Sequence, residues 1–256
     1  MRHWWPEMLA VPLLPLLLLQ GRRTRRVTPR LPEAGGPHSG IMLPAAGAPA
    51  ATPLRLLAIG ESPVAGVGVS SYEEAITAQF ARVLAACMAR PVHWQAYGAN
   101  GATVTSALKT LLPSVPRHPV DILLVAFGVN DSTEFRSVAR YRAALQELIN
   151  DLDASASPKL VIISGVPPLH IFPALPQPLR HVLGLKAQAL DRSARQLTSG
   201  SVNMLHVPMP TRLTNRGLMA TDGYHPSALG AALWANCLLD AVLAHPASGK
   251  TFGAGP

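Results

Sequence analysis

Residues 54–70 read LRLLAIGESPVAGVGVS. Leu54, Leu56, Leu57, Ala58 and Ile59 form a short apolar run, the pattern of a strand covered on both faces. Gly60 lets the backbone turn where a side chain would clash. Glu61, Ser62 and Pro63 follow, and Gly66 and Gly68 keep the next loop close to whatever binds there. A serine just past the carboxyl end of a central strand stands where open α/β sheets hold their ligands. Taken alone, a Gly-x-Ser better fits a plain strand–turn–helix connection whose serine merely caps.

Outward from this stretch, apolar runs alternate with helical periodicity. Strands are expected at 92–97, 121–127, 160–166 and 202–207, and helices at 72–88, 103–112, 135–152, 179–197 and 226–243. Five strands alternating with helices imply a mostly parallel sheet with helices on both faces. Ser62, Asn100, Asn130 and Asp131 all follow strand ends, and in this architecture those ends share one rim. Pro226 is expected at a first helical position, with His225 immediately before it. Loop 167–178, PPLHIFPALPQP, is apolar and proline-rich, and is expected to wall an acyl pocket.

Composition bounds the function. The chain has 256 residues, 48% hydrophobic, enough for one domain and its core. Aromatics at 5% leave little for stacking on bases, so no nucleic-acid partner is expected. The net charge is +8, and Arg22, Arg23, Arg25, Arg26 and Arg30 are clustered, which suits an anionic surface. Residues 1–27 carry an apolar run from Met8 to Leu19, interrupted by Pro12 and Pro15. As a helix that run covers only about 18 Å, against roughly 30 Å of hydrocarbon. Trp4, Trp5 and the arginines suggest an interfacial membrane anchor, and the charge bias favours the cytoplasmic face of the inner membrane, with the periplasm as the alternative. The competing expectation is a tail packed on the domain surface. Residues 28–53, rich in Pro, Gly and Ala, read as a linker, 54–245 as the catalytic-type domain, and 246–256 as a loose tail. Cys87 and Cys237 fall in helical apolar patterns and read as small buried hydrophobes. The histidines show no paired metal-ligand spacing, so no metal is expected. Met204 and Met209 read as packing.

Near the end stands Asp222-Gly223-Tyr224-His225-Pro226. A serine hydroxyl needs a base within hydrogen-bond reach, and the base needs an acceptor that fixes its tautomer. A spacing of three residues in a turn lets Asp222 reach the His225 ring. Asn130, in Gly128-Val129-Asn130-Asp131, offers an amide donor, and Gly101 offers an approachable backbone N–H, as an oxyanion site requires.

Gly60-Glu61-Ser62, Asn100-Gly101, Gly128-x-Asn130-Asp131 and Asp222-x-x-His225 stand in the order of the sequence blocks of the SGNH hydrolases, also called GDSL esterases and lipases. The chain resembles that family from Leu54 to about Leu243. The resemblance implies a three-layer α/β/α sandwich with a five-stranded, mostly parallel sheet of flavodoxin-like type. It implies a serine esterase acting on small-molecule carboxylic esters without a cofactor. It assigns Ser62 as nucleophile, His225 as base and Asp222 as its partner, and an oxyanion hole at Ser62, Gly101 and Asn130. Two alternatives accompany it: a membrane-tethered, catalytically weak binding module on the same fold, and an acyltransferase. One departure stands out. The family usually has Asp before the nucleophile, and Glu61 carries an extra methylene that is expected to shift the hydrogen bonds of the serine turn and lower the rate.

Overall fold

A computed structural model describes residues 5–48 and 50–246. Trp4 and the expected tail from 247 onward lie outside the described residues. The strands are β1 (Ser39–Met42), β2 (Leu54–Gly60), β3 (Val92–Gly98), β4 (Ile122–Ala126), β5 (Leu160–Ser164) and β6 (Met204–Val207). The helices are α1 (Trp5–Val27), α2 (Ile76–Met88), α3 (Val104–Thr110), α4 (Val129–Thr133), α5 (Val138–Ala156), α6 (Leu179–Thr198) and α7 (Ala228–Ala244). The sheet order is β1-β3-β2-β4-β5-β6. Every neighbouring pair is parallel except β1 with β3.

The central strands β4 and β5 are buried at every position, which is why they read as continuous apolar runs. Alternation along them feeds two cores. Ile59, Leu123, Val125, Val161 and Ile163 face the side covered by α3, α5 and α6. Ala58, Leu124, Ala126, Leu160 and Ile162 face α2 and α7, where Phe80, Leu84, Trp234 and Leu238 meet them. The register sets the site. Gly60 lies level with Gly98 on one side and with Ala126 on the other. The loops after β2, β3 and β4 therefore leave the sheet side by side.

The sheet has six strands, not five. The extra one, β1, comes from the stretch expected to be a linker. Ile41 and Met42 pair with His93 and Val92, and the antiparallel ladder uses the otherwise open edge of β3. A four-residue strand among glycines and prolines leaves little periodic signal. Several helix starts also move. Ala75, in extended conformation, separates a 3-10 turn at Tyr72–Glu74 from α2. The α5 helix begins only after Ser137, whose hydroxyl accepts the Arg140 N–H. Ser227 caps α7 in the same way, so Pro226 precedes the cap and is not a first helical residue. Cys87 is exposed and Cys237 half-buried, because α2 and α7 bury other residues against the sheet and each other.

The N-terminal segment packs on the domain. α1 lies against α6, with Ala10 and Leu17 buried in the α6-side core and Leu13 beside them. No described helix is long and apolar enough to cross a membrane. The core itself carries a direct prediction. Leu124 is fully buried at the centre of the sheet. Leu124→Ala is expected to cost about 2–5 kcal/mol of unfolding free energy, read as a lower midpoint in urea with an unchanged slope.

Candidate active site

The turn after β2 carries Ser62. Glu61 N–H donates to the Ala126 carbonyl at 3.0 Å, Val64 and Ala65 N–H groups fold back to the Glu61 carbonyl, and Val67 N–H donates to the Ser62 carbonyl at 2.9 Å. This compact turn passes over the strand end only because residue 60 is glycine. A Cβ there would stand 2.5 Å from Val64 Cγ2 and 2.7 Å from the Ala126 carbonyl oxygen.

The last loop brings His225 to the serine. Asp222 Oδ1 accepts N–H bonds from Tyr224 at 2.9 Å and His225 at 3.0 Å, which curls the backbone so that the ring meets the same carboxylate. His225 Nδ1 lies 2.5 Å from Asp222 Oδ2, and His225 Nε2 lies 2.9 Å from Ser62 Oγ. With Nδ1–H donating to the carboxylate, Nε2 is left to accept the serine proton. Gly68, at φ +102°, allows this approach: a Cβ would meet the Pro226 carbonyl at 2.5 Å and His225 Cβ at 3.1 Å. Burial pulls the Asp222 carboxyl upward, but the bonds from the His225 ring and the two backbone N–H groups outweigh it and hold it below the ordinary range. The ion therefore persists beside the ring. Tyr224 packs edge-on between Phe172 and His225, with centroids 5.3 Å from each.

The donors around Ser62 differ in availability. The backbone N–H groups of Ser62 and Gly101 have no acceptor among the described residues. Gly101 sits exposed at φ +81° in the turn after β3. Asn130 is not in a simple turn; it lies in the short helix α4. Its Nδ2 donates to Glu61 Oε2 at 2.8 Å and to the Ala102 carbonyl at 3.1 Å, so both amide hydrogens are engaged.

Glu61 explains that arrangement. Its buried carboxyl accepts the backbone N–H of Val129 on Oε1 and of Asn130 on Oε2, both at 3.0 Å, besides the Asn130 amide. The longer side chain joins the serine turn to the first residues of α4. Burial pushes the Glu61 carboxyl up to about 8, against the pull of these donors. Asp131 acts alongside: Oδ2 accepts the Val104 N–H at 3.1 Å, tying α4 to the start of α3, and burial raises its carboxyl to about 6.

A cavity of about 50 Å³ opens beside Ser62 and His225. Loop residues Pro167, Pro168 and Phe172 line it, as expected for that loop. Met209, Leu213 and Trp234 close the α7 side, and Met209 also packs against the α7-side core, in keeping with its reading as packing. Tyr224 and Trp234 line the cavity without any sequence signal of that role. Tyr224 stands inside a quoted motif, while nothing local marks Trp234.

A pH dependence follows from Glu61. Its folded pKa is raised, so the folded form holds a proton that the unfolded chain has released, and stability falls as pH rises toward about 8. The expected slope is up to about 1.4 kcal/mol per pH unit between the ordinary carboxylate range and that value. Glu61→Gln, which cannot titrate, is expected to flatten the fall in Tm between pH 6 and 8. An equal slope in both proteins contradicts the assignment.

The comparisons with known proteins agree on the fold and the family. The GDSL-like lipase/acylhydrolase family profile matches residues 58–233. The chain is 27% identical over 197 residues to the GDSL-like esterase Rv1075c of Mycobacterium tuberculosis, covering 74% of this chain and 62% of that protein. The chain thus spans about three-fifths of the length of that curated relative. Among solved structures, the lipase Lip_vut3 from a goat rumen metagenome superposes with a TM-score of 0.60 at 15% identity, covering 73% of this chain and 97% of the other. The lipase/acylhydrolase of Enterococcus faecalis gives 0.55 at 21% identity, covering 73% and 94%. These likenesses show the fold, an α/β architecture with a mostly parallel sheet. The match across well over half the sequence shows that this chain belongs to the GDSL-like lipase/acylhydrolase family.

Proposed function

We propose that the protein is a serine esterase that hydrolyses carboxylic esters through an acyl-enzyme on Ser62. The observation that carries this reading is the continuous line from Ser62 Oγ through the His225 ring to Asp222. In the reaction, His225 Nε2 takes the Ser62 proton as Oγ attacks the ester carbonyl. The imidazolium that forms is stabilised by Asp222 and then protonates the leaving alcohol. Water, deprotonated by the same nitrogen, attacks the acyl-enzyme and releases the acid.

The oxyanion that develops meets the free N–H groups of Ser62 and Gly101. Asn130 becomes the third donor when its bond to the Ala102 carbonyl yields to the charged oxygen, a stronger acceptor than a neutral carbonyl. Its bond to Glu61 keeps the amide in place meanwhile. The Glu61 carboxyl thus serves the site by bonding to the start of α4.

The cavity bears on the substrate. At about 50 Å³ it has room for the centres of about three to five water-sized groups. Its walls are mostly apolar side chains. Such a space suits a short acyl group of two to four carbons over a fatty chain. Whether the acyl group goes to water or to another alcohol depends on what reaches the acyl-enzyme, and added alcohols separate hydrolysis from transfer by their products.

Two outcomes are expected. A serine-directed phosphonate gives a stoichiometric adduct on Ser62 by mass spectrometry. The adduct and turnover of p-nitrophenyl butyrate are both lost in Ser62→Ala, whereas labelling elsewhere contradicts the reading. Across p-nitrophenyl esters, kcat/KM peaks between acetyl and butyryl and falls at least ten-fold by decanoyl. A maximum at long chains refutes the short pocket.

A further inference from the structure

The N-terminal segment is not a detached tether, because it crosses the rim of the sheet beside the candidate site. Gln20 Nε2 donates to the Gln177 carbonyl at 2.6 Å, and Gln20 Oε1 accepts the Leu179 N–H at 3.1 Å. These bonds hold the end of the loop that walls the cavity. Farther on, Arg25 lies near enough to Tyr224 for its charge to favour the ionised phenol, against the burial that raises it. Glu33 Oε1 then accepts the Asn100 N–H at 2.7 Å, next to Gly101, and Ala34 N–H donates to the Ala65 carbonyl at 3.1 Å, in the serine loop. Residues 20–34 thus touch the loops that follow β2, β3 and β5.

The outer side of α1 has no partner among the described residues. At about 100° per residue, Met8 and Leu19 fall opposite Ala10 and Leu17, which are buried against the domain, and Val11 and Leu18 lie on the flank between, about 80–120° round from that pair. Met8, Val11, Leu18 and Leu19 are exposed by 66%, 74%, 52% and 66%. Arg22 and Arg26 continue the same side at the end nearest the site, exposed and in no ion pair among the described residues. An apolar row followed by unpaired arginines matches a surface with hydrocarbon below and negative charge at the headgroups. A soluble polyanion would leave the four apolar side chains in water.

We propose that the outer face of α1 binds an anionic lipid surface, and that the protein works there on short-acyl esters carried by amphiphilic alcohols. The acyl group enters the cavity, and the alcohol stays with the lipid. The part about esters rests on the esterase reading of Ser62; the binding part does not.

Binding is measured by sedimentation of the full chain carrying Ser62→Ala, with vesicles of phosphatidylcholine alone or with 30% phosphatidylglycerol. The Ser62→Ala protein is expected to bind the anionic vesicles and to leave them as salt is raised. Arg22→Gln and Arg26→Gln are each expected to weaken partitioning about five-fold, and Val11→Ser with Leu18→Ser at least ten-fold. Equal binding to both vesicle types, or none, overturns the proposal. A dimer in sedimentation equilibrium that Val11→Ser dissolves overturns it in favour of a second copy. For activity, hexadecyl butyrate is dispersed in the same vesicles and p-nitrophenyl butyrate is used in solution. The arginine variants should lose about five-fold each on the first and keep the second. An equal effect on both overturns the surface role. Vesicle binding without turnover of either ester overturns the esterase reading and leaves the lipid face standing.

Discussion

A buried carboxyl group holds the site together. Glu61 follows β2, yet its oxygens accept the first N–H groups of α4, which follows β4. Parallel register alone puts the ends of these strands level; it does not orient what comes after them. The carboxyl does so from both sides. It ties the serine turn to the first turn of α4 and keeps the Asn130 amide next to the serine turn. Without it, three N–H donors would be left without partners in a largely dry place, at about 1–3 kcal/mol for each that water cannot reach.

The second constraint is closeness. The serine turn lies directly on the sheet end, and the histidine loop lies on the serine loop. Gly60 and Gly68 mark those two contacts, since a Cβ at either would sit about 2.5 Å from a neighbouring atom. The reach of a histidine side chain is fixed, so the Nε2–Oγ separation depends on how near the two backbones come. Asp222 contributes twice, curling the loop through Oδ1 and holding the ring through Oδ2.

The N-terminal fifth changes character once it is folded. Read residue by residue, it is an apolar run, a basic cluster and a proline-rich connection. Folded, it supplies a docked helix, an edge strand and a strap across the rim. Its inner contacts are few and specific: Ala10, Leu13 and Leu17 on α6, Gln20 on the cavity loop, Glu33 beside Gly101. The prolines at 12 and 15 remain inside α1. Each removes one intrahelical bond, and packing on the domain offsets part of that loss.

The sequence by itself determined the alternation of strands and helices, the parallel sheet and the run of residues that meets at its rim. Those features follow from local rules: apolar runs for buried strands, 3.6-residue periodicity for helices, glycine at tight turns. It also paired Asp222 with His225, because three residues in a turn bring the two together. Only the tertiary structure decided that β1 belongs to the sheet, that Glu61 binds α4, that Asn130 lies in a helix with its amide engaged, and that Trp234 closes the cavity. It likewise decided that the cysteines are not core residues and that α1 is docked. These turn on contacts between segments far apart in the chain, such as Ile41 with His93 or Glu61 with Val129. A pattern repeating every two or four residues carries no record of such distant partners, which are selected only when whole elements pack.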